Sequence, residues 1–221
     1  MIRYERPYRL FAMALAALAG FVDATAFVLT GGLFVSFMSG NSTRLAVAGV
    51  NGSSIALLAG GLIVLFLVGV ITSALIAASR PATRKSRVML LSTLAVLAAA
   101  ISGSLQARVP TAMMLAMGMG ALNNVFLREG EVSIGVTYMT GALVRTGQRI
   151  AAALLGKEPS DWMPYLLLWV SLVLGAGLGA ALAIYSATTA LWLASCLSAF
   201  MTLIVIRLEG ARTLGNGHEE P

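Results

Sequence analysis

The sequence predicts an all-α membrane protein of about six transmembrane helices, arranged as two inverted three-helix repeats, each with a re-entrant or broken helix. Three observations carry that expectation. Of 221 residues, 58% are hydrophobic and only 11% charged, against roughly 25% charged in ordinary soluble domains. A chain so short of charge cannot clothe a water-facing surface, so lipid must be its solvent. Uncharged runs recur at the length a bilayer demands, where about 20 apolar residues cross about 30 Å of hydrocarbon. Finally, two polar motifs in otherwise apolar surroundings match each other at an offset of 101 positions.

The expected spans are 10–29, 54–79, 88–106, 110–127, 163–185 and 188–206. Arg3, Arg6 and Arg9 before the first resemble the basic flank of a signal peptide, and Ala14–Ala19 is rich in small residues. The apolar stretch nevertheless runs past the length of such a segment and contains Asp23, so it is expected to stay as a membrane anchor. The uncharged run 162–206 is long enough for two spans, with a turn at Ser186–Thr189.

The two motifs occupy 33–50 and 133–150. Val35 matches Val136, Met38 matches Met139, Gly40 matches Gly141 and Arg44 matches Arg145; Ser36/Thr137, Phe37/Tyr138 and Ser39/Thr140 are conservative pairs, and Asp23 falls on Asn124. Each motif follows one span and precedes two. The chain therefore divides into repeats at 1–106 and 107–207, with 208–221 as a disordered cytoplasmic tail. If 33–50 crossed the membrane, the loop bearing Arg80, Arg84, Lys85 and Arg87 would lie outside, against the excess of Lys and Arg on cytoplasmic loops. If it enters and leaves on one side, nearly all basic residues fall inside and only Arg108 is left on an outer loop. Three spans per repeat is odd, so the halves are inverted, a plan recurrent in transporters and channels. The same cytoplasmic bias accounts for the formal charge of +6, which gives no reason to expect a nucleic-acid partner.

Gly20-Phe21-Val22-Asp23, the run from Phe34 to Asn41 (FVSFMSGN) and Tyr138-Met139-Thr140-Gly141 resemble the YoaK-like family, bacterial proteins catalogued as domain of unknown function 1275. The resemblance covers nearly the whole chain, from about Arg9 to Arg207. It implies a multi-pass protein of the bacterial inner membrane and supplies no substrate. One departure stands out: the family's expected glutamine–asparagine pair near the end of the fourth span is Asn123-Asn124 here, one methylene shorter in reach.

Asp23 is the only acid well inside an expected span. A charge at that depth costs about 2.5–3.5 kcal/mol and marks a functional site by default; its bland alternative is a structural partner for Arg44 or for backbone donors near an interfacial boundary. Ser39, Gly40 and Asn41, with Thr140 and Gly141, are expected to open two half-helices whose unpaired amides favour negative charge. Arg44 and Arg145 lie four residues after the motif glycines. They either complete an anion-friendly cavity or snorkel to the interface. Asn41, Asn123 and Asn124 bind a ligand or bridge helices, and bridging is the commoner outcome. Gly118–Gly120 and Gly175–Gly177–Gly179 read as packing or dimer seams.

Absences narrow the function. The chain has one cysteine (Cys196) and one histidine (His218, in the tail), so no metal, disulfide or haem is expected. There is no phosphate-binding glycine loop, no paired intramembrane acids and no nucleophile–base set, so an enzyme is not expected. The expectation is a secondary transporter or permease of a small anionic or zwitterionic solute, with both termini cytoplasmic and its site between the two motif loops. The alternatives are a passive channel and a non-transporting scaffold. Partners are the lipid bilayer and the solute, with room for a homo-oligomer.

Overall fold

The computed structural model describes residues 6–79, 83–128, 131–132, 135–156 and 162–216. Among them lie seven α-helices: α1 (Arg6–Thr30), α2 (Met38–Val50), α3 (Ile55–Ser79), α4 (Arg84–Ser104), α5 (Arg108–Leu122), α6 (Met139–Leu154) and α7 (Met163–Asn216). A 3₁₀ turn, Asn123–Phe126, prolongs α5. The two-residue strands β1 (Leu127–Arg128) and β2 (Glu131–Val132) then pair antiparallel. Among the described residues the remaining regular structure is helical.

Five helices are long and apolar enough to cross a bilayer: α1, α3, α4, α5 with its 3₁₀ extension, and α7. The last is not one rod. Ser186 is extended (φ −158°, ψ 101°), and its hydroxyl accepts bonds from the Thr189 amide at 3.2 Å and the Thr189 hydroxyl at 2.8 Å. The break therefore falls on the expected turn, and the arm after it starts from a serine cap. By contrast α2 and α6, at 13 and 16 residues, are too short to span at 1.5 Å per residue.

Two helices begin well before the hydropathy boundaries. α1 starts at Arg6 rather than 10, and α4 at Arg84 rather than 88. A hydropathy count stops at the first charge, whereas backbone hydrogen bonding continues and long basic side chains reach out to water. α7 also runs past 206 to Asn216. Residues 208–216, expected in a disordered tail, are thus helical. A tertiary tie holds this extension: the Glu209 carboxylate accepts the amides of Lys85 (2.9 Å) and Ser86 (3.1 Å), orphan donors in the first turn of α4. Arg3, Arg80, Lys157 and His218 lie outside the described residues.

Glycines set the closest approaches. A methyl at Gly20 would overlap the Leu172 carbonyl, and one at Gly120 the Phe66 carbonyl. A methyl at Gly175 would strike Ala17, and one at Gly69 would strike Met117. So α1 packs backbone to backbone on the first arm of α7, as α5 does on α3. These two contacts are reciprocal, since positions 20 and 120, 17 and 117, 66 and 172, and 69 and 175 exchange roles. Gly175 and Gly179 spend their small size within the chain, against α1; they are not a dimer seam. Polar glue joins the third pair of helices: the buried Thr93 hydroxyl on α4 meets Ser198 at 2.7 Å and Thr202 at 2.8 Å on α7.

The bundle has two distinct ends. At one, Val28 and Leu29 of α1, Gln106 and Arg108 of the α4–α5 turn, and Ser186 of α7 border a cavity of about 380 Å³. At the other, Lys85 sits 3.9 Å from the Tyr8 ring centroid, beside Glu209.

Candidate functional site

The first motif loop exists because α1 is stopped and turned back. Gly31 and Gly32 adopt φ of 71° and 121°, a region glycine enters without steric cost. Thr30 locks the turn, donating to the Ala26 carbonyl (2.8 Å) and accepting the Leu33 amide (3.0 Å). The chain then runs back beside its own helix until the amides of Val35 and Ser36 donate to Asp23 Oδ1, at 2.7 and 2.8 Å. Asp23 lies seven residues before the end of α1, roughly 10 Å back along its axis. The loop therefore returns to that depth before α2 starts.

Asn41 fixes the other side of this loop. It is fully buried; its Oδ1 accepts the Phe34 amide at 3.0 Å and its Nδ2 donates to the Phe34 carbonyl at 2.6 Å. α2 begins at Met38, so Asn41 reaches back from inside the first turn and does not precede the helix as a cap. The ring of Phe37 folds over Gly40, where a methyl would collide with it.

The second motif repeats these connections with neutral groups. Asn123 Oδ1 accepts the Thr137 hydroxyl at 2.8 Å, while its Nδ2 donates to the Met119 carbonyl at 3.0 Å. Met139 and Ala142 amides donate to the carbonyls of Thr137 and Tyr138 at 3.0 and 3.3 Å, as Met38 and Asn41 amides do to Ser36 and Phe37 at 3.1 and 3.3 Å. The counterpart of Asp23 in bonding is thus Asn123, which corrects the alignment on Asn124. The reason is loop length: 13 residues separate Asp23 from Ser36 and 14 separate Asn123 from Thr137. Asn124 bridges helices, donating to the Val70 carbonyl and the Ser73 hydroxyl of α3, each at 2.8 Å.

The two motif loops border one cavity of about 420 Å³. Asp23, Ser36 and Phe37 line it from the first motif, Thr137 and Met139 from the second, and Leu172 and Ala176 of α7 form a wall. Most of this lining is apolar, and Asp23 is its single ionisable group. Among the described residues no basic side chain pairs with Asp23, so the internal Asp23–Arg44 pair is not formed.

Of the sequence candidates, Asp23 alone lines the cavity. Arg44 is exposed; its guanidinium lies 5.8 Å from the Phe27 ring centroid and against Gly32. Arg145, also exposed, lies 5.7 Å from the Tyr165 centroid. Ser39, Thr140 and Gly141 are exposed in the first turns of α2 and α6. Asn41, Asn123 and Asn124 are consumed in internal ties. Sequence reasoning passed over Ser36 and Thr137 as cavity groups, although their pairing at the motif offset was the signal that could have found them. Among the described residues there is no cluster of metal-ligating side chains.

Residues 11–204 match the model of a family described as a protein of unknown function (DUF1275). The chain is also similar to a UPF0700 transmembrane protein of Rhizobium meliloti (strain 1021), at 35% identity over 195 residues, covering 88% of this chain and 84% of that protein. No solved structure matches the chain.

Proposed function

The chain belongs to the DUF1275 family of membrane proteins, and on that premise we propose that it is a secondary transporter or permease of a small zwitterionic solute, which it passes through the cavity between the two motif loops. It acts without a cofactor and performs no covalent chemistry on its cargo. The observation that carries this reading is the convergence of both motif loops on one cavity with an unpaired carboxylate in its wall. A scaffold has no use for such a cavity and would bury Asp23 against Arg44.

The architecture belongs to the same proposal: six crossings in two inverted three-helix repeats, with the motif segments 33–50 and 133–150 each leaving and rejoining one membrane face. Three facts support it. α3 lies alongside α5 in the same direction, since Gly61 faces Met113, Gly69 faces Met117 and the Asn124 amide reaches Val70. α3 therefore starts at the end where α1 stops, and the intervening α2 returns to the face it left. The reciprocal glycine contacts and the matched loop hydrogen bonds are what a two-fold relation between halves produces. Irregular backbone at membrane depth requires protein or a cavity around it, and the loops border one.

Orientation follows from charge. Arg6, Arg9, Arg84, Lys85, Arg87 and Arg207 gather at one end of the bundle and Arg108 at the other. The positive-inside rule places the basic end, with both termini, in the cytoplasm of a bacterial inner-membrane protein. As to cargo, an anionic or zwitterionic solute was expected from positive helix ends and the guanidiniums of Arg44 and Arg145, and neither guanidinium lines the cavity. Its one formal charge is negative and repels an anion, while a zwitterion keeps an ammonium for Asp23.

The test is uptake of labelled zwitterionic solutes into proteoliposomes. Saturable uptake with counterflow is expected, falling about tenfold in Asp23→Asn, the scale of a lost charge-assisted contact. Non-saturating flux without counterflow indicates the passive channel instead. No flux of any solute returns the protein to the scaffold class.

A further inference from the structure

We propose that Asp23, with the phenyl rings of Phe27, Phe34 and Phe37, forms a subsite for a small organic ammonium group; this rests on the transport reading of the same cavity and names the part of the cargo it recognises.

The argument starts from a difference between the two halves. Each uses one side-chain oxygen on its first span to hold its motif loop: Asp23 Oδ1 takes the Val35 and Ser36 amides, and Asn123 Oδ1 takes the Thr137 hydroxyl. The second half holds its loop with a neutral amide that accepts one hydroxyl, where Asp23 accepts two backbone amides. An ionisable carboxyl thus stands at position 23 where the other half places a neutral group, and burying charge is costly unless something compensates it. No basic side chain of the described residues does so. Both backbone amides donate to Oδ1 and the Ser36 side chain also hydrogen-bonds the carboxylate, while Oδ2 has no backbone donor.

The surroundings specify what kind of cation fits. The lining carries two hydroxyl-bearing residues, Ser36 and Thr137, and no cluster of further oxygen ligands, whereas a dehydrated alkali or alkaline-earth ion needs six or so oxygens. Aromatic faces are plentiful. Phe27 and Phe34 have centroids 5.0 Å apart, and Phe34 meets Phe37 edge to face at 5.2 Å; all three border the cavity with Asp23. Ring faces attract alkylammonium groups, which shed water more readily than metal ions and present methyls to an apolar wall. Arg44 lies 5.8 Å from the Phe27 centroid, so Phe34 and Phe37 offer the less contested faces. A carboxylate beside such rings suits a primary to quaternary ammonium on a small apolar body.

The experiment measures binding of tetramethylammonium and methylammonium chloride to the full chain in detergent, by thermal-unfolding shift and equilibrium dialysis, with sodium chloride at matched ionic strength as reference. A saturable upward shift with the ammonium salts, beyond the sodium reference, is expected. Asp23→Asn is expected to fold, because an amide oxygen can still accept the Val35 and Ser36 amides, and to bind about tenfold more weakly. Phe34→Leu keeps the apolar volume and removes a ring face, and is expected to weaken binding about fivefold. Equal shifts with sodium and ammonium, or unchanged affinity in both variants, overturn the proposal. Uptake of a solute lacking any ammonium, with no ammonium binding, removes the subsite and leaves the transport reading standing. Ammonium binding without flux of any solute does the reverse.

Discussion

Asp23 holds a loop and puts an ionisable group in the cavity wall, and these two roles separate by substitution. Asparagine retains an acceptor for the Val35 and Ser36 amides, so Asp23→Asn is expected to lower stability by only about 1 kcal/mol, the difference between charged and neutral acceptors. Asp23→Leu leaves two amides without an acceptor and is expected to cost about 1–3 kcal/mol for each group stranded in an apolar setting. Thermal unfolding in detergent measures both, and equal losses contradict the assignment. The same assay reads Asn41. Its side chain satisfies both backbone groups of Phe34, so Asn41→Leu is expected to destabilise by about 1–3 kcal/mol. Were Asn41 instead a solute ligand, the variant would keep its stability and lose transport.

At the scale of elements, packing distinguishes glycines that the sequence presents alike. Gly20 faces the backbone of α7 and has no room for a methyl, whereas Gly141 in α6 has open space around it. Gly20→Val is expected to separate α1 from α7 and cost about 1–3 kcal/mol, as overpacking does. Gly141→Ala is expected to stabilise by up to about 1 kcal/mol, because alanine is the better helix former. If Gly141→Ala leaves stability rising and solute affinity unchanged, the motif glycine has no contact with cargo. Glu209 supplies a third case. Its carboxylate caps α4 from the far end of the chain, so Glu209→Ala is expected to cost about 1 kcal/mol and to fray α7 beyond residue 206. Hydrogen exchange at 207–216 reads that fraying. This cap was not legible in the sequence, because it joins residues more than a hundred positions apart. The five long apolar helices were legible, since they depend only on local hydropathy, and so was the break at Ser186. Helix starts were misplaced at Arg6 and Arg84, where backbone geometry carries on under charges that hydropathy treats as a stop.

For the whole molecule, a chain this poor in charge could only live in lipid, and the match between Phe34–Asn41 and Tyr138–Gly141 led to the family to which it belongs. The same offset pairs Ser36 with Thr137, which the sequence did not single out as cavity groups, and its register placed Asp23 opposite Asn124 because a one-residue loop difference is invisible to an ungapped offset. Arg44 and Arg145 could by their sequence either complete the cavity or snorkel to the interface; they stand outside the cavity, near aromatic rings. Only three-dimensional packing tells a guanidinium that turns inward from one that stacks on a phenyl ring at the helix surface, since both obey the same spacing. The proposal that joins these scales is a pair of half-helices entering from opposite faces and meeting at Asp23. It is tested most directly by cysteine accessibility at Ser42 and Leu143, both exposed on their half-helices, in a background where the exposed Cys196 is serine. Membrane-impermeant maleimide is expected to label Ser42→Cys only from the periplasmic side of intact spheroplasts, and Leu143→Cys only from the cytoplasmic side of inverted vesicles. Labelling of both positions from the same side would contradict the account.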